Sequence, residues 1–303
     1  MSQAKVQAGL KFENLLVITD LSVESGAATP YARALASRYG SKVRVLHVID
    51  PLPYVFGDPE TARRNRREIW EAANTELSRW TGQFLSGTRA TSTLVDGELG
   101  QAVLQAVREN AIDLLVLASH GATGLERMMV GSLGEEVFRS VPCPVMTIGP
   151  SVLKQPEQAA RFERILFPTD LTPSSIGSIR YLASLAENCE SAITLVHVAD
   201  PGTQSPSERQ RIRERVEEEL RGLLPDEIKP RVRGVIVEFG PVAASIVEFA
   251  LATKADVIVL GVKSGGSLTR GATHLPWAIA HQIIADAPCP VITIRGPAGP
   301  AET

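Results

Sequence analysis

Two kinds of hydrophobic pattern alternate along this chain. Short unbroken apolar runs fall at 15–19, 43–49, 91–95, 113–118 and 144–148. They are rich in Val, Ile and Leu and lack polar alternation, as strands covered on both faces do. Longer segments between them repeat their apolar residues at helical spacing. Residues 24–40 are alanine-rich and close on Gly40, a helix stop. Residues 60–85 set Ile69, Leu77, Trp80 and Phe84 among charges. Residues 100–111 and 132–141 read as two further helices. This alternation predicts right-handed crossovers and a doubly wound parallel sheet.

The same pattern is then written a second time. LLVITDLS (15–22) returns as ILFPTDLT (165–172), and VRVLHVIDP (43–51) as AITLVHVADP (192–201). AIDLLVLAS (111–119) returns as KADVIVLGV (254–262), and VPCPVMTIGP (141–150) as APCPVITIRGP (287–297). Four matches in one order define two copies. Domain 1 is expected over 1–150, a polar linker over 151–161 and domain 2 over 162–303. The second copy's strands are expected near 165–169, 192–198, 232–238, 256–261 and 290–294. The fold class is α/β: two tandem doubly wound domains, each a five-stranded parallel sheet flanked by helices. The last strand of each copy follows Pro-Cys-Pro. Proline donates nothing to a ladder, so these strands are expected at sheet edges. Two apolar edges on one chain are expected to pair with each other, as a pseudo-dimer.

In such sheets, ligands bind beyond the carboxyl ends of the strands, where the strand order reverses. Asp20 ends the first strand, Val48 lies at the end of the second, and Ala118–Ser132 follows the fourth. Ser132 and Glu135 form an S-x-x-E capping box, so a helix is expected to open there. Its free N–H groups and positive dipole end suit an anion. Gly121 and Gly131 carry no Cβ and let backbone N–H groups approach it closely. Two ordinary turns and an Asp20 that merely caps a strand end are the alternative reading. His47 and His197 sit inside predicted strands and read as structural. His120 has no partner pattern for base chemistry, and with no HxxxH or Cys/His cluster no metal site is expected.

Composition narrows the function classes. The net charge of −3 over 303 residues argues against nucleic acid and against an anionic membrane surface. No ~20-residue apolar span is present. Cys143, Cys189 and Cys289 form no CxxC pair, which fits a reducing compartment, and a cytoplasmic location is expected. The run Arg63-Arg64-Asn65-Arg66-Arg67 is flanked by Glu60, Glu68 and Glu71 and reads as a solvated helix face. Trp70 and Trp80 are expected to pack rather than to form a stacking platform.

The turns together resemble the universal stress protein family in its tandem form. That family's nucleotide motif is Gly, two residues, Gly, nine residues, then Gly-Ser or Gly-Thr. Here it reads Ala118, Ser119-His120, Gly121, nine residues, Gly131-Ser132, and the Thr19-Asp20 turn and Pro-Cys-Pro-Val strand also match. The resemblance implies that Thr19 and Asp20 contact adenosine and that the Val48 backbone reads the adenine edge. Gly121, Gly131, Ser132 and Leu133 would surround the phosphates of ATP or a related adenine nucleotide, with or without Mg. Ala118 departs from the motif, standing where its first glycine belongs. The second copy departs further: it keeps Gly261, has Ser264 at the second glycine, and places Trp277-Ala278 where Gly131-Ser132 would fall. Nucleotide is therefore expected in the first copy alone. A stress-response or regulatory protein with little or no catalysis is expected, since GxxxxGK[ST] and GxGxxG are absent. A nucleotide-independent interaction module and a weak ATP hydrolase are the alternatives, and homo-oligomerisation stays open.

Overall fold

A computed structural model describes residues 12–49, 59–119, 141–153, 160–172, 176–200, 202, 205–262 and 274–295. They fall into two compact units, one of Phe12–Ile148 and one that begins at Gly149.

The first unit has strands β1 (Asn14–Ile18), β2 (Lys42–Ile49), β3 (Ala90–Asp96), β4 (Leu114–Ala118) and β5 (Val145–Ile148). They run parallel in the order β3-β2-β1-β4-β5. Each strand begins and ends within one residue of its expected position. Leu15, Leu16, Val17 and Ile18 are all buried, as are Leu114 to Ala118. Uninterrupted apolar runs fit here because helices cover both faces. Pro144 lies just before β5, where its missing N–H costs the ladder nothing, and its carbonyl still accepts from Leu115 N–H.

Helix α1 (Thr29–Tyr39) follows a 3-10 turn, Ser25–Ala28. It stops at Gly40, which is left-handed at φ 66°. Helix α2 (Pro59–Phe84) buries Leu77 and Trp80. Helix α3 (Leu99–Glu109) is capped by Glu98, whose carboxylate accepts from Gly100 N–H and Gln101 N–H. An anion at this position also meets the positive dipole end.

The second unit has β6 (Arg164–Pro168), β7 (Ala192–Ala199), β8 (Val232–Phe239), β9 (Val257–Val262) and β10 (Val291–Arg295), in the order β10-β9-β6-β7-β8. Besides a short helical turn at Pro150–Leu153, its described helices are α4 (Ile179–Cys189), α5 (Pro206–Leu223), α6 (Val242–Ala252) and α7 (His274–Asp286). Matching details recur. Asp113 takes the N–H groups of Glu13 and Asn14, and Asp256 takes those of Glu163 and Arg164. Each aspartate, placed just before its copy's fourth strand, thereby anchors the start of the first. Gly149 packs so close to α7 that a Cβ there would collide with the Ile284 carbonyl oxygen.

The charged run on α2 is exposed, with Arg67 donating to Glu71 at 2.8 Å and Arg66 pairing with Asp96 on β3. Trp80 packs at 2% exposure, 4.9 Å from Phe84 between ring centroids. Trp70 differs from expectation: it is 44% exposed. Leu77 and Trp80 reach the sheet, whereas residues 63–72, one to four turns earlier on the same helix, are exposed throughout.

Candidate functional site

The order β3-β2-β1-β4-β5 puts the reversal between β1 and β4, so the crevice opens beyond Ile18 and Ala118. The pair Val17↔Val116, continued along both strands, sets Thr19 level with Ala118 and Asp20 level with Ser119.

Thr19 is buried and held on every polar atom. Its N–H donates to the Leu46 carbonyl at 3.1 Å, and its carbonyl accepts from His47 Nδ1 at 2.8 Å. Its Oγ1 lies 2.7 Å from Ser25 Oγ and accepts from Leu21 N–H at 2.9 Å. A carbonyl only accepts, so Nδ1 of His47 carries the hydrogen. These bonds secure a strained turn. Leu21 sits at φ 68°, a left-handed conformation that disfavours a non-glycine residue by about 1–2 kcal/mol. Four hydrogen bonds at roughly 1 kcal/mol each outweigh that.

Asp20 follows Thr19 in this turn, just beyond the end of β1. Its Oδ1 accepts from Ser22 N–H at 3.1 Å and Ser22 Oγ at 2.5 Å. Its Oδ2 is buried and meets no partner among the described residues. Behind the turn, Trp80 Nε1 donates to the Ser22 carbonyl at 3.0 Å, tying α2 to the same loop.

Val48 lies in the part of β2 that outruns β1. The Leu46 carbonyl faces β1, where it accepts from Thr19 N–H, and the Ile49 carbonyl faces β3, where it accepts from Gly97 N–H. Backbone groups alternate sides along a strand. Both the N–H and the carbonyl of Val48 therefore face the β1 side, beyond the last β1 residue. Among the described residues neither meets a partner.

Ala118 ends β4, fully buried, with its methyl group in the core. Next to it, Ser119 is 7% exposed and donates its N–H to the Ile148 carbonyl, but its hydroxyl has no partner among the described residues. Sequence reasoning missed Ser119. The signal available was a hydroxyl one residue beyond a buried strand, at the level of Asp20. A buried polar atom without a partner carries a desolvation penalty of about 1–3 kcal/mol. Two of them, one beyond each of the strands that flank the reversal, mark where a polar ligand fits. Gly121, Gly131, Ser132 and Leu133, with His120, lie outside the described residues.

The second unit repeats the turn but not the open groups. Thr169 N–H donates to the Val196 carbonyl, His197 Nδ1 donates to the Thr169 carbonyl at 2.9 Å, and Leu171 sits at φ 62°. Asp170, however, is exposed, and Val262 stands in place of Ser119. Trp277 is not at a turn as expected: α7 opens at His274, which puts Trp277 inside its first turn. Aligning on the shared Pro-Cys-Pro-Val missed this early start.

His47 and His197 are half-buried rather than buried, each bonded through Nδ1 to the carbonyl of its turn threonine. Among the described residues no group of three His, Cys, Asp or Glu side chains is arranged to hold a metal ion. No described helix is long and apolar enough to cross a membrane.

Fold and crevice define a tandem, doubly wound α/β protein with its polar site at the reversal of strand order. Two stretches, 11–149 and 161–295, each match the Universal stress protein family. The chain belongs to that family, twice over. It is similar to a universal stress protein of Thermus aquaticus, 30% identical over 139 residues, which are 45% of this chain and 98% of that protein. One from Methanocaldococcus jannaschii is 24% identical over 141 residues, 45% of this chain and 82% of that one. Among solved structures, a universal stress protein from Archaeoglobus fulgidus covers 95% of this chain and 98% of its own, with TM-score 0.63 and 19% identity, a likeness of fold.

Proposed function

We propose that this universal stress protein binds ATP or a related adenine nucleotide in its first domain, as a regulatory ligand that is turned over slowly or not at all. The observation that carries the reading is the pair of buried, unpartnered oxygens, Asp20 Oδ2 and Ser119 Oγ, at the strand-order reversal. Asp20 Oδ2 suits a ribose hydroxyl, which donates to a carboxylate. The Val48 N–H and carbonyl offer one donor and one acceptor, the complement of an adenine edge. Gly121, Gly131, Ser132 and Leu133 supply the phosphate end, on the strength of the motif that they form. Bound Mg would shield phosphate charge there. The three cysteines, all buried and none in a disulfide, agree with the cytoplasm as its compartment.

The second domain lacks the pair of open groups, so one nucleotide per chain is expected. Purified full-length protein titrated with ATP in a calorimeter should saturate at one equivalent. Two equivalents of equal affinity overturn the asymmetry. No binding, and no nucleotide released from the purified protein on denaturation, overturns the reading and leaves an interaction module. Phosphate release measured on the same sample separates a ligand from a substrate. Gly131→Trp is expected to abolish ATP binding while leaving the far-UV circular dichroism unchanged.

A further inference from the structure

His47 lies on the strand that would read the base, yet its side chain faces the turn of the neighbouring strand. Resting on the nucleotide reading above, we infer that His47 is a positioning residue that withholds the Thr19 carbonyl from Val48 and so keeps the Val48 N–H open for the ligand.

The parallel ladder explains why. Leu46 pairs with Ile18, and the Leu46 carbonyl takes the Thr19 N–H. Continued by one step, a parallel ladder sends the next inward-facing N–H of β2, that of Val48, to the Thr19 carbonyl. That bond is not made. The Thr19 carbonyl instead accepts His47 Nδ1–H at 2.8 Å. The imidazole engages one of the two lone pairs of that carbonyl and draws it off the line that would have closed the ladder, and β2 keeps an open donor and acceptor one residue later. The same contact fixes the carbonyl end of Thr19, the residue before Asp20, so one side chain sets both the base-reading edge and the Asp20 turn.

The second domain carries the same device. His197 Nδ1 meets the Thr169 carbonyl at 2.9 Å, and Thr169 N–H meets the Val196 carbonyl. The register is the same, with Pro168 paired to Val196 as Ile18 is to Leu46. The arrangement accompanies the strand pairing itself, in surroundings that differ at Asp170 and Val262.

The test uses the full chain and two substitutions. His47→Leu removes the donor. His47→Asn keeps one, because the Asn Nδ2 occupies nearly the place of imidazole Nδ1. Amide exchange of Val48, followed by NMR without nucleotide, is the first readout. In His47→Leu the freed Thr19 carbonyl captures the Val48 N–H, so Val48 exchange slows by about tenfold or more, while wild type and His47→Asn exchange alike. ATP affinity is the second readout. It falls about tenfold in His47→Leu, the loss of one good hydrogen bond, and returns to within about threefold in His47→Asn. Affinity for inorganic tripolyphosphate, which has no base, stays the same in all three. A Val48 amide that exchanges equally in His47→Leu and wild type overturns the inference. So does an Asn variant as weak as the Leu variant. Should wild type bind no ATP, the nucleotide reading falls while the Val48 amide still decides what His47 does.

Discussion

Asp20 divides its work between its two oxygens. Oδ1 holds the Ser22 turn, and Oδ2 is buried with no partner among the described residues. Replacing such a group relieves a desolvation penalty, so function and stability are expected to separate here. Asp20→Asn should weaken ATP binding about tenfold or more while its thermal midpoint stays equal to or above that of wild type. Titration calorimetry and a melting curve on one sample check this, and a variant that loses both would mean Asp20 is only a turn-former. Burial works differently on Cys289, whose thiol is pushed up to about 12. A thiol that stays protonated is a poor nucleophile. Cys289 should resist iodoacetamide at neutral pH in the folded chain and react only after denaturant is added, as peptide mapping would show.

At the scale of the element, contacts between backbones set the sharpest limits. A Cβ at Gly149 collides with the Ile284 carbonyl oxygen of α7, and backbone yields poorly. Gly149→Ala is expected to cost about 1–3 kcal/mol of stability, read as a lower midpoint in denaturant. Asp113, which anchors the start of β1, gives a pH signature. Burial raises its carboxyl above the ordinary value, more than the Asn14 and Glu13 N–H bonds lower it. The folded chain then binds this proton more tightly than the unfolded one. The contribution of Asp113 to stability is fullest below the ordinary carboxylate range and declines as pH rises from about 4 upward. Asp113→Asn removes that decline, so wild type should lose ground to the variant as pH rises from 4; a constant difference would show that Asp113 does not titrate this way. The strands were legible in the sequence because burial on both faces leaves only apolar residues. The site was legible in part. Asp20 and Val48 follow from strand ends, but Ser119 and the His47–Thr19 contact depend on register between strands, which no local pattern carries. Trp70 misled because helical spacing tells which face a residue takes, and not whether the sheet extends far enough to cover it.

At the scale of the whole molecule, two copies share a strand scheme and a turn device yet differ in the groups left open. Duplication supplies both crevices with the same Thr-Asp turn and the same histidine. Divergence at Ser119/Val262, and in how exposed Asp20 and Asp170 are, makes them unequal. This chain therefore carries two kinds of crevice at a fixed one-to-one ratio. The same inequality extends to light emission. The first domain holds Trp70 in solvent and Trp80 in the core, with the Trp80 indole bonded to the Ser22 carbonyl, two residues past Asp20. Trp80 is therefore an optical sensor wired to the crevice, and Trp70 is a bystander that iodide can quench. In the double variant Trp70→Phe/Trp277→Phe, which leaves Trp80 as the one tryptophan of the chain, ATP should change the emission along the calorimetric isotherm, giving occupancy of the first domain from a cuvette without any label.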